Sequence, residues 1–129
     1  MGKFLTDLVV KQSVKDDGEN VAEGRGFWTL VQPLIYVADS GHKFTVPVGF
    51  KTDFASIPRI PLVFEALGDR ANLAACLHDF LYTPPHAGVA RETADGLLRE
   101  AALAQGVSKW VADALYAGVQ AFGQSHWGE

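Results

Sequence analysis

The sequence predicts an α+β fold in which a small N-terminal antiparallel β-sheet packs on about three C-terminal α-helices. Three observations predict it. Residues 1–50 are rich in β-branched and aromatic side chains, interrupted by Gly, Pro and Asp clusters. Residues 71–123 carry apolar positions three and four apart, the period of a helix. Strands come first and helices afterwards, which suits segregated layers rather than alternating parallel units.

The elements follow in order. Residues 3–14 are Val-, Leu- and Phe-rich and end in the turn-forming cluster Asp16-Asp17-Gly18-Glu19-Asn20. The run FWTLVQPLIYV, 27–37, is the next extended stretch, and Asp39-Ser40-Gly41 turns it into KFTVPVGF, where Phe44, Val46, Val48 and Phe50 alternate. Pro33 and Pro47 have no N–H to give to a ladder, so they belong at strand ends, edges or bulges. TDFASIPRIP, 52–61, holds two prolines and no sustained period, which marks an irregular connection. ANLAACLHDFLY, 71–82, reads as a helix with Asp69 or Asn72 as cap and Thr83-Pro84-Pro85 as stop. Residues 89–105 carry a stripe at Ala94, Leu97, Leu98 and Ala101 that ends at Gly106. Ser108 then caps a third helix with Trp110, Val111, Ala114, Leu115, Val119 and Phe122, closed by Gly123. The expected layout is one domain over 1–129: mainly β to 50, an irregular loop or short helix over 51–70, helical over 71–123, and a tail over 124–129 that reads as a loose end bearing Trp127.

Composition narrows the function classes. With 48% hydrophobic and 20% charged residues the chain is an ordinary globular one. A net charge of −4 removes the attraction that supplies most non-specific nucleic-acid affinity, so no nucleic-acid partner is expected. Cys76 is the single cysteine, which excludes an intrachain disulfide and suits a reducing interior. No stretch approaches the roughly 18 apolar residues of a membrane span, and the opening residues show no export leader. Met1-Gly2 with Thr6 fits the loose myristoylation pattern, too short to carry weight.

The one dense chemical constellation is His78-Asp79-Phe80-Leu81-Tyr82. His78 and Tyr82 lie four apart on one helix face, while Asp79 points about 100° away. The short Pro/Gly link makes the next helix an antiparallel neighbour, and reflecting about residues 86 and 87 sets His78 opposite Asp95 and Tyr82 opposite Arg91. A carboxylate on one ring nitrogen fixes the tautomer and leaves the other nitrogen as acceptor, the state a general base needs. Asp79, aimed elsewhere, and Asp53 in the irregular segment are the candidate ligands for a hard cation. Each residue has an ordinary reading too. His78 with Asp95 is equally a buried pair that locks packing, Asp53 a turn or helix cap, and Tyr82 a core residue with a wet hydroxyl. Arg91 and Arg99 flank Asp95 as an ion-pair ladder, Cys76 is an inert core thiol, and His86 is placed to close over a site. His42 and His126 read as exposed.

Two resemblances complete the reading. TDFASIPR (52–59), HDFLY (78–82), the Arg91-to-Asp95 motif and the final Phe122-Gly123 look like a family of small phage and prophage proteins classed only as a domain of unknown function. The match spans roughly residues 44–123. It implies a phage or prophage origin and a place in the host cytoplasm or with the virion. Separately, ACLHDFLY (75–82) is similar to the active-site helix of the phospholipases A2. That resemblance implies His78 as general base, Asp79 as a Ca²⁺ ligand, Tyr82 bonded to a carboxylate and Asp95 as orienter, with Asp53-Phe54-Ala55-Ser56 resembling part of a microbial calcium loop. Unlike those enzymes, the chain offers Cys76 no disulfide partner and its loop is not glycine-rich.

Three functions therefore stand as expectations. One is a hydrolase of esters or phosphoesters, phospholipids included, with His78, Asp95 and Tyr82 in its site and Ca²⁺ on Asp79 and Asp53. The second is a virion head, neck or tail component that binds other phage structural proteins. The third is an effector that binds a host protein. Oligomeric state is not legible.

Overall fold

The structure, a computed structural model, describes residues 2–12, 28–52 and 71–127. The expected turn at 16–20, Asp69 and nearly all of the 52–61 segment, Asp53 included, lie outside the described residues.

Six short strands come first: β1 Lys3–Phe4, β2 Val10–Gln12, β3 Trp28–Leu30, β4 Leu34–Val37, β5 Lys43–Val46 and β6 Lys51–Thr52. They form two three-stranded antiparallel sheets, ordered β1-β4-β5 and β2-β3-β6, where the sequence suggested one. Pro33 is the reason. It falls between β3 and β4, where the missing N–H breaks the apparent run 27–37 and lets its halves join different sheets. The first run is divided in the same way. Thr6 leaves the ladder and uses its hydroxyl instead, donating to the Pro33 carbonyl at 2.9 Å and accepting from the Ile35 N–H at 2.9 Å.

The β4–β5 hairpin pairs Leu34 with Val46 and Tyr36 with Phe44, which sends all four side chains into the core. Its turn closes with Gly41 N–H on Ala38 O at 2.8 Å, and Gly41 takes φ +90, a value that favours glycine. The alternation expected to run on to Phe50 stops at Val46. Pro47 ends the strand, and Val48 is exposed.

Three helices follow: α1 Asn72–Leu81, α2 Arg91–Ala104 and α3 Lys109–Phe122. Ala-rich α1 is buried on nearly every side from Ala74 to His78, so it is the central helix, set against the strands and α2. It starts at Ala71 with no side-chain cap, and neither does the Ser108 side chain cap α3, although Ser108 stands at the cap position. The stripe Ala94, Leu97, Leu98 and Ala101 of α2 is buried as expected. The helix ends in a Schellman motif, with Val107 N–H on Ala102 O, Gly106 N–H on Leu103 O, and Gly106 at φ +87. Helix α3 buries Val111, Ala112, Leu115 and Val119. Trp110, expected in that stripe, is exposed because it lies about 100° round the helix from Val111. Residues Gly123–His126 form a 3₁₀ turn that leads to Trp127, so the described part of the tail is packed rather than loose. Among the described residues no helix is long and apolar enough to cross a membrane.

Candidate functional site

The site lies where α1, α2 and the end of α3 meet. The link between α1 and α2 is short, so the helices run back to back and their residues meet in the mirrored order the sequence suggests. His78 Nε2 stands 2.8 Å from Asp95 Oδ1. One turn on, the Tyr82 hydroxyl donates to the same oxygen at 2.5 Å, and the two rings lie 4.3 Å apart. His78 and Asp95 are fully buried and Tyr82 is 3% exposed.

A carboxylate only accepts, so the ring nitrogen facing Asp95 carries a proton. Burial first, and then the bond to Asp95, push the Tyr82 hydroxyl well above the usual phenol range; Arg91 works against them. Tyr82 thus stays a donor and holds the carboxylate in place.

Sequence reasoning missed Gln120, whose Nε2 donates to Asp95 Oδ2 at 2.5 Å. A signal for it existed. Reflecting Asp95 about the link centred on Gly106 and Val107 lands on Gly118, within a turn of Gln120. Arg91 is 3.6 Å from Asp95 Oδ2 and also donates to the Val119 carbonyl at 3.1 Å, so it ties the end of α3 to the site. Arg99 does not join a ladder on Asp95; it pairs with Asp113 at 2.6 Å.

Beyond Tyr82 the aromatic contacts continue. Trp127 meets Tyr82 edge to face at 5.0 Å and stacks flat on His86 at 3.7 Å, while His86 Nδ1 donates to the Leu81 carbonyl at 3.0 Å. Gly123 presses against Tyr82 so closely that a Cβ there would come within 2.5 Å of the hydroxyl oxygen. His86 is thus occupied by the tail, and His42 is exposed against Phe44. The side chain of His126 lies outside the described residues.

Asp79 faces away from the pair, as its place on α1 requires, and its Oδ2 accepts the buried Thr52 hydroxyl. The described residues alone do not assemble a cation site. Among them no three His, Cys, Asp or Glu side chains come together, and Asp53 is not among them. Cys76 is buried, and burial reinforced by the Asp79 charge pushes its thiol up to about 12, which leaves it protonated and unreactive at neutral pH.

The fold and site thus define an α+β chain whose first two helices enclose a His–Asp–Tyr network. Residues 28–119 match the model of a family described as protein of unknown function (DUF1353), and the chain belongs to that family. The matched region takes in Thr52, Asp53, His78, Asp79, Tyr82, Arg91 and Asp95, and stops one residue short of Gln120. No curated protein and no solved structure matches the chain.

Proposed function

We propose that this protein hydrolyses an ester or phosphoester bond, with His78 as general base and Asp95 and Tyr82 holding it in place. The observation that supports the reading is the convergence of His78 Nε2 and the Tyr82 hydroxyl on one oxygen of a buried carboxylate. In this reading Nδ1 takes a proton from water. The resulting hydroxide attacks the carbonyl or phosphoryl centre, the bond to the leaving oxygen breaks, and the imidazolium returns its proton to that oxygen. Phospholipids are the first substrate class to try, since the helix resembles that of the phospholipases A2. Calcium on Asp79 and Asp53 is a separate proposal, tested by whether Ca²⁺ raises the melting temperature of the parent and fails to do so in Asp79→Asn.

The test of the hydrolytic reading is an assay on phospholipid vesicles, an aryl ester and a phosphodiester. The parent cleaves at least one of them; no turnover on any contradicts the reading. A second reading, a phage virion component in the head, neck or tail, is favoured by the complete burial of His78 and Asp95, which suits a pair that pins two helices. It predicts the protein in assembled particles and no turnover. Nothing observed favours a host-binding effector.

A further inference from the structure

The two oxygens of Asp95 are held from different sides. Oδ1 takes both groups from α1, His78 Nε2 and the Tyr82 hydroxyl. Oδ2 takes the carboxamide of Gln120 from α3, at 2.5 Å. Arg91 at 3.6 Å from Oδ2 is beyond hydrogen-bond reach, and its guanidinium is spent on the carbonyls of Val119 and Gln120, at 3.1 and 3.5 Å. The backbone that carries Gln120 is therefore anchored to α2 by Arg91, and its side chain is aimed back at Asp95.

A carboxylate held only through one oxygen can turn about its Cβ–Cγ bond, which is broad and shallow for Asp. Holding the second oxygen removes that freedom and fixes the direction in which Oδ1 meets Nε2. Gln120 does so without charge, so it does not compete with the imidazole for the role of counter-ion. We infer that Gln120 is a positioning residue of the His78 site: it locks the Asp95 carboxylate so that the proton of His78 stays on Nε2. The inference deepens the hydrolytic proposal and rests on it for its functional meaning, but it can be read without activity.

The experiment is ¹⁵N and proton NMR of the His78 ring in the parent and in Gln120→Met, which keeps the length and removes the donor. The His78 signals are assigned by their loss in His78→Gln. In the parent, Nε2 carries a slowly exchanging proton. In Gln120→Met that proton exchanges about tenfold faster or more, and the Nδ1-protonated tautomer becomes populated. Where the parent turns over substrate, kcat falls by about tenfold with KM unchanged. If Gln120→Met does not fold, Gln120→Asn, one methylene shorter, is read in the same way. His78 signals that stay as in the parent, with or without a fall in melting temperature, overturn the inference, because Gln120 then only ties helices together. Absence of turnover in the parent with displaced His78 signals counts against the hydrolytic reading and leaves the positioning role standing.

Discussion

His78 and Asp95, 17 residues apart, meet at 2.8 Å between two antiparallel helices with neither side chain exposed to solvent. The carboxylate also takes Tyr82 and Gln120, so three groups from two other helices converge on one side chain of α2. Such a network is stable only when each member is satisfied.

Asp95→Asn tests that satisfaction. The amide keeps one acceptor for His78 and Tyr82 and turns its NH₂ toward Gln120, which can rotate its own carboxamide to accept. Arg91 then faces a donor and loses its ion pair. The expected cost is about 1–3 kcal/mol, measured by urea unfolding. No loss would mean that the charge on Asp95 contributes nothing to the fold.

Gly123→Ala tests the packing at Tyr82. The added Cβ would come within 2.5 Å of the hydroxyl oxygen and 3.3 Å of the ring, and α3 ends there at an ordinary φ of −77, so the penalty is one of space alone. A loss of about 1–3 kcal/mol is expected. In a Tyr82→Phe background part of that loss disappears, because the colliding oxygen is gone, and a double-mutant cycle measures the coupling. Additive losses would show that the two residues do not press on each other.

Alkaline pH weakens the fold. Burial raises the Cys76 thiol from its ordinary 9.0 to about 12, and it raises the hydroxyls of Tyr36 and Tyr82 well above the phenol range, helped by Glu100 and Asp95 respectively. All three keep their protons in the fold where the unfolded chain loses them. The folded state therefore binds more protons, and stability falls as pH rises from about 9. Urea midpoints that decline steadily above pH 9 are expected, with Cys76 inert to thiol reagents until the chain unfolds. A flat profile up to pH 11 would contradict the burial of these groups.

How much of this was legible in the sequence depended on chain distance. The His78–Asp95 pairing could be read because the link between their helices is short and nearly fixes the register. The same reasoning, carried across Gly106 and Val107, leads to the turn of α3 that carries Gln120. Two sheets in place of one were less legible, because a proline inside a β-rich run reads as an edge as readily as a change of sheet, and only the Thr6 hydroxyl bonds settle the matter at Pro33. The stacking of Trp127 on His86 left no sequence signal, since it joins the tail to a loop that follows no period.

The most direct test of His78 as a base is to measure turnover and melting temperature on the same preparations of the parent and His78→Gln. The glutamine amide reaches Asp95 as Nε2 does but offers no basic nitrogen, so it separates chemistry from packing. Turnover is expected to fall by about 10²–10⁴-fold with the melting temperature within a few degrees of the parent. Turnover that survives in His78→Gln would contradict a base at this position.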